Sequence, residues 1–246
     1  RHAEDHIARI AAGSTNVVSL WRETSTVLAD AVPHYMAPCW FTLDPASLLA
    51  TSHFQEGLPE IPNEWLAQEY QEDDYNKMAD VARSPAGIAT LHEATRGQPQ
   101  LSPRYREQMV PWGAGHEVIV AMRSNGETWA VLGLYRELDA QPFTPAELTF
   151  LAAIAPPLAV AARRSLLVGE AVDPEGEDAP GLLIVTDELK RAASSRSADR
   201  WLDEMGHSGN SQQLPAAVIS LAASVVAGDA APVVRVRTPA GHWLQL

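Results

Sequence analysis

Cys39 is the one thiol in 246 residues, so thiol nucleophilic or redox chemistry in this chain would have to run through that side chain. A single cysteine also excludes an intrachain disulfide and any multi-cysteine metal centre. The reactive species is the thiolate, which forms near neutral pH only where exposure and positive neighbours favour it. Cys39 stands between Pro38 and Trp40 with His34 nearby in sequence, the setting of an inert buried thiol. His34, His53, His92 and His116 form no close His-x-His or His-x-x-x-His ligand pair. His2 and His6 have such a spacing, but they lie at a terminus prone to fray, with only Glu4 or Asp5 to complete a site, so no metal is expected. There is no Gly-rich phosphate loop and no Gly-x-Ser-x-Gly elbow. The adjacent acids Asp73 and Asp74 sit in a charged run and read as a solvated face rather than a catalytic dyad. Neither catalysis nor a cofactor is expected; a haem held by one histidine is an alternative these residues leave open.

The bulk properties narrow the partners. The formal charge of −13 opposes DNA binding, which rests on Lys and Arg neutralising phosphates, so no direct nucleic-acid contact by this segment is expected. The most apolar stretch, Leu148 to Val168, is interrupted by Pro156, Pro157, Arg163 and Arg164; a soluble, cytoplasmic chain without a membrane span is the expectation. The length suggests two cores rather than one.

The elements that would position side chains follow from periodicity. A heptad-like row, Ile7, Ile10, Ser14, Val17, Trp21, Thr24, Leu28 and Ala31, predicts one long helix, packed on its own domain or forming a dimer seam. Two strands are predicted at Tyr35–Leu43 and Ser47–Phe54, across Asp44-Pro45. Trp65, Leu66, Glu69 and Tyr70 fall at helical spacing, and Ser84-Pro85 suggests the start of a helix running to about Thr95 and closed by Gly97. Asn125-Gly126 between the apolar runs Glu117–Arg123 and Thr128–Arg136 predicts a hairpin. Thr144-Pro145-Ala146-Glu147 opens a long helix with a capping box, bent where Pro156 and Pro157 interrupt it. The acidic stretch Gly169–Gly181 reads as a linker, and the remainder as β-β-α-α-β-β with a mobile loop at Gly206–Gln213.

Pro142-Phe143-Thr144-Pro145-Ala146-Glu147-Leu148 resembles the opening of the last GAF helix, and Trp129 through Arg136 resembles that family's final strand. The variant most resembled is the GAF-like region of actinobacterial LuxR-type regulators, where a segment such as Ser102-Pro103-Arg104-Tyr105-Arg106 leads into the third strand. Gly181 through Asp187, with Trp201-Leu202, looks like the start of a PAS-like unit. The resemblance implies an α+β fold: an antiparallel sheet flanked by helices (1–168), the linker (169–181) and a smaller, incomplete PAS-like α+β domain (182–246). It implies a non-catalytic, homodimeric sensor region whose DNA-binding helix-turn-helix would follow Leu246. Alternatives are a ligand-free GAF dimerisation scaffold or the sensor region of a signalling kinase or phosphatase. In a GAF fold Trp40, Phe54, Trp65, Tyr70, Tyr75, Trp112 and His116 would lie where a small molecule of unknown identity binds, although core packing explains the aromatic residues about as well.

Overall fold

The computed structural model describes residues 2–14, 16–57, 62–167, 181–206, 213–228 and 233–246. Five strands, β1 (Cys39–Leu43), β2 (Ala50–Phe54), β3 (Ile88–Thr90), β4 (Ala114–Ser124) and β5 (Glu127–Glu137), form one antiparallel sheet in the order β2-β1-β5-β4-β3. The β4–β5 hairpin turns at Asn125 and Gly126, both with positive φ (56° and 83°), the conformation a two-residue turn requires and these residue types tolerate. Alternate residues face opposite sides of a strand. Trp40, Val118, Val120, Met122, Leu132 and Leu134 therefore share one core, and Cys39, Phe41, Leu43, Ile119, Ala121 and Val131 share another. Both faces of the sheet are covered, which explains the near-continuous apolar runs in β4 and β5.

The first core is closed by α1 (His2–Gly13), α2 (Val17–Ala31) and α6 (Pro145–Leu167). The single long helix expected at the start is two helices. Asn16 caps the second, its Oδ1 accepting from the N–H groups of Val18 (2.9 Å) and Ser19 (3.1 Å), and such a side-chain cap competes with continuation of the helix. The heptad row turns inward: Ile7, Trp21, Thr24 and Leu28 are buried, and Trp21 stacks on Trp40 with ring centroids 4.4 Å apart. Trp40 Nε1 donates to Ser25 Oγ at 2.9 Å, so the indole is satisfied inside this core.

Helix α6 opens with the expected capping box. Thr144 Oγ1 accepts from Glu147 N–H at 3.3 Å, and Glu147 Oε2 accepts from Thr144 N–H at 2.7 Å. Arg136, at the end of β5, donates to Glu147 Oε1 (2.5 Å) and to the carbonyls of Pro33 (2.8 Å), Gln141 (3.2 Å) and Pro142 (3.1 Å), while its guanidinium lies 4.3 Å from the Phe143 ring centroid. Burial alone would raise the Glu147 pKa, but hydrogen bonds from Arg136 and Thr144 outweigh it and hold the carboxyl below its usual range. Thr144→Ala is expected to lose about 1 kcal/mol in chemical denaturation, the usual loss for an N-cap; an unchanged midpoint would mean that Arg136 alone fixes the start of α6. The helix runs on through Pro156 and Pro157. Pro145–Leu166 is, contrary to the sequence expectation, long and apolar enough to cross a membrane by length and composition. Leu151, Ile154, Leu158, Ala159 and Ala162 are instead buried in the first core, as in the central helix of a globular domain.

On the other side lie α3 (Asn63–Gln71) and α4 (Met78–Arg83). The helix expected from Ser84 to Thr95 is a correction. Ser84 ends α4, its N–H bonded to the Asp80 and Val81 carbonyls; Ile88–Thr90 is the edge strand β3; and the helix that follows is the short α5 (Leu91–Ala94), capped by Thr90 and Glu93 in a second capping box. Gly87, with φ 65°, makes the turn that separates α4 from the strand. Strand β1 starts at Cys39 rather than Tyr35, and β2 starts at Ala50 rather than Ser47 because Asp44 Oδ2 gathers Ser47 N–H (3.0 Å) and Oγ–H (2.7 Å) into a turn.

Beyond Gly181 the order is β6 (Leu183–Val185), β7 (Arg191–Ser194), α7 (Arg196–Glu204), α8 (Ala216–Val226), β8 (Arg235–Arg237) and β9 (Trp243–Gln245). Its strands form two separate two-stranded ladders among the described residues. Helix α8 packs Val218, Ile219 and Ala223 into the second core of the five-stranded sheet, together with Leu189 and Leu202. The linker read at Gly169–Gly181 and the loop read at Gly206–Gln213 lie, except for Gly181, Gly206 and Gln213, outside the described residues.

Candidate ligand-binding site

The second sheet face is not filled to its edge. Between it and α3 is a cavity of about 120 Å³. Its floor is the alternate-residue set of the strands, Phe41, Ile119 and Tyr135 with Cys39 beside them. The cover comes from two segments. Helix α3 presents Trp65, Leu66 and Glu69, spaced to share a helix face, and a π-helical turn at Tyr105–Met109 followed by Val110–Trp112 presents Gln108, Met109 and Trp112. Trp65 and Trp112 meet edge to face with centroids 5.0 Å apart, and Trp112 is 44% exposed, so the aromatic pair reaches from the cavity to its rim.

Beside this apolar space lies a charged cluster. Arg104 forms a two-pronged pair with Glu117 (Nη1 to Oε1 2.5 Å, Nη2 to Oε2 3.1 Å) and approaches Asp74 at 3.9 Å. Asp74 also accepts the Arg104 backbone N–H at 3.0 Å, and Asn76 Nδ2 donates to Glu117 Oε2 at 2.9 Å. Asp74 is therefore a structural acid turned inward, whereas its neighbour Asp73 is exposed; the solvated reading of this pair holds for one of the two. Burial works against the Arg104 charge, but Glu117 and its neighbours outweigh it, and the guanidinium stays protonated. Tyr135 is held protonated first by burial and then by the Glu117 charge.

Three further titratable groups line the cavity with shifted pKa values. Burial, reinforced by Glu117, pushes the Cys39 thiol up to about 12, so it is not a nucleophile near neutral pH. Burial pushes the Glu69 carboxyl up to about 7, against the opposing influence of Arg104, of a 2.6 Å hydrogen bond from Met78 N–H, and of Lys77. Burial lowers His53 to about 4, and its Nε2 has no hydrogen-bond partner. Among the described residues no group of three or more His, Cys, Asp or Glu side chains could hold a metal ion.

The GAF family model matches residues 5–162. The chain belongs to the GAF domain family. A search of curated proteins found no significant match. Among solved structures, the GAF domain of an Acinetobacter phosphoenolpyruvate-protein phosphotransferase is 16% identical with a TM-score of 0.46, covering 69% of this chain and 98% of that one. Residues 122 to 287 of a methyl-accepting chemotaxis protein are 15% identical with a TM-score of 0.45, covering 68% and 99%. Free methionine-R-sulfoxide reductase from Neisseria meningitidis, in complex with its substrate, is 18% identical with a TM-score of 0.41, covering 68% and 89%.

Within this GAF domain the seven residues expected at a ligand site are dispersed. Trp65 and Trp112 line the cavity. Trp40 lies on the opposite sheet face, stacked on Trp21, and Phe54 packs against that same core with Arg22 5.8 Å from its ring centroid. Tyr70 is not among the cavity residues; its hydroxyl accepts from Ala50 N–H at 2.8 Å, and its ring packs against the core that holds Ile219 and Ala223 of α8. Tyr75 is 39% exposed, and its carbonyl accepts from Arg104 at 3.1 Å. His116 stacks on His92 with centroids 4.8 Å apart, and its Nε2 is 2.8 Å from the Ala140 carbonyl. Burial and then the His92 charge lower the His116 pKa. The residues that sequence reasoning missed are the polar ones, Glu69, Arg104, Gln108, Glu117 and Tyr135. A charged side chain directly beside the apolar run Val118–Met122 of a buried strand, as Glu117 is, was the available signal.

Proposed function

We propose that this chain is the non-catalytic sensory region of a bacterial transcription regulator of the LuxR type, and that a small molecule in the cavity under Trp65 and Trp112 is its signal. GAF domains are sensory, ligand-binding modules. The observation that carries the reading is the cavity itself, an apolar space with a few convergent polar groups between the sheet and α3. Helix α3 also explains how occupancy could be read out. Its Leu66 and Glu69 face the cavity while Tyr70 is hydrogen-bonded to β2 and packs against α8, so a shift of α3 is felt by α8. The reading keeps residues 1–168 as the sensor unit, 182–246 as a second, PAS-like unit, and a cytoplasmic homodimer acting on DNA through a separate helix-turn-helix. The inert Cys39 thiol supports a binding role over turnover.

Native mass spectrometry of the protein equilibrated with a metabolite panel tests it. A bound mass is expected in the wild type and none in Ile119→Phe, which fills the floor of the cavity. Equal retention by a folded Ile119→Phe protein would remove the site from this cavity. Light scattering at micromolar concentration tests the homodimer, and a monomer mass would withdraw that part.

A further inference from the structure

The cavity has a chemical preference written into its walls, and it turns on Glu69. Its floor and cover are aromatic and aliphatic apart from a few polar side chains, and two of the charged ones near it are already engaged. Arg104 is held by Glu117 and Asp74, and Lys77 donates to the Glu72 carbonyl at 2.8 Å. In charge, Arg104 and Lys77 balance Asp74 and Glu117. Glu69 is 9% exposed, lines the cavity, and has no ion-pair partner among the described residues. Its Oε1 takes one hydrogen bond, from Met78 N–H, where a carboxylate can accept several. A buried charge of this kind calls for a counter-charge.

We propose, on the reading that this cavity is the sensory site, that its ligand is a compact apolar amine whose ammonium group pairs with Glu69 while Trp65, Trp112 and Phe41 enclose its hydrocarbon body. The volume sets the size. A cavity of about 120 Å³ is somewhat smaller than the roughly 150 Å³ engineered apolar cavity that takes up benzene, so a single ring of about six non-hydrogen atoms is the most it encloses, with any further atoms at its rim. The Trp pair adds an attraction that an anion would lack, since indole faces favour cations. A carboxylate ligand would instead meet Glu69 with like charge, and the Arg104 guanidinium that could offset it is already bonded to two acids.

Benzylamine, benzyl alcohol and benzoate form a near-isosteric series that differs in charge, and binding of each to the full chain can be followed by tryptophan fluorescence or by NMR. Benzylamine is expected to bind at pH 8 at least about tenfold more tightly than benzyl alcohol, the advantage of one charge-assisted contact. Glu69→Gln, which keeps the shape and an acceptor for Met78 N–H, is expected to erase that gap. Lowering the pH to 5.5, through the Glu69 pKa of about 7, is expected to weaken benzylamine about tenfold or more and to leave benzyl alcohol unchanged. Arg104 stays protonated throughout this range, and His53, which lines the same cavity with its pKa lowered to about 4, stays neutral above pH 5.5, so the change reports Glu69. Equal binding of amine and alcohol, tighter benzoate, a gap that survives Glu69→Gln, or no binding of any of the three would overturn the amine assignment. Equal binding of amine and alcohol, both abolished by Ile119→Phe, would overturn the amine assignment while leaving the sensory cavity standing.

Discussion

Arg104→Met is expected to lose about 3–5 kcal/mol of folding stability near neutral pH, the largest effect of any single side chain around the cavity. Methionine retains much of the hydrocarbon stem but removes the guanidinium that lies between Glu117 and Asp74. Glu117 is 1% exposed, and without Arg104 its carboxylate keeps the Asn76 amide and the neighbouring Tyr135 side chain but no counter-charge. Whether the complete pair is worth more than an apolar substitute is a separate matter; removing one partner alone strands a buried charge, and that stranding sets the magnitude. The double variant Arg104→Met with Glu117→Gln is therefore expected to be more stable than Arg104→Met alone, and a double-mutant cycle by urea denaturation isolates the coupling. Single and double variants of equal stability would show that Arg104 acts through packing, or through its bonds to the Tyr75 and Asn76 carbonyls, rather than through Glu117.

How much of this was legible beforehand depends on the range of the interaction. Local signals read directly: the Asn125-Gly126 turn and the Thr144–Glu147 capping box are fixed by residues within four positions of one another, and both are found where expected. Local signals misled where two competed. Ser84-Pro85 has the makings of a helix start, yet Ser84 ends α4, because Gly87 turns the chain into an edge strand and the Thr90–Glu93 box starts the next helix. The heptad row gave four buried residues, Ile7, Trp21, Thr24 and Leu28, and the wrong continuity, since Asn16 satisfies the first N–H groups of α2. The fold family was legible through Phe143 to Leu148, but the site was not. Which aromatic residues share a cavity depends on which sheet face each occupies, and a one-residue shift along β1 separates Trp40 in one core from Phe41 in the other. Arg104 and Glu117 are 13 residues apart, and Gln108 meets Gln68 across 40, distances at which one sequence carries no pairing signal.

The second large effect is a gain. Glu69→Gln is expected to stabilise the ligand-free protein by an amount that grows with pH, from near zero at pH 4.5 to about 3 kcal/mol at pH 8. The sign follows from proton binding. Below 4.5 the carboxyl is protonated in both folded and unfolded chains; between 4.5 and about 7 only the folded chain keeps the proton, so each rise in pH favours unfolding; above about 7 both have released it and the loss is complete. Glutamine has no such ionisation and keeps an oxygen for Met78 N–H. The wild-type profile alone would hide this, because His53 tilts the other way. Its pKa of about 4 lies below the ordinary 6.5, so the folded chain holds fewer protons and stability falls as pH drops through that interval. The two slopes oppose each other between pH 4.5 and 6.5, and the difference between Glu69→Gln and wild type, measured by chemical denaturation across pH 4.5 to 8, removes the histidine contribution. A difference that does not change with pH would mean that Glu69 ionises as an ordinary surface carboxyl. A gain that tracks pH identifies a carboxylate kept at a cost to stability, a pattern that functional positions show more often than structural ones.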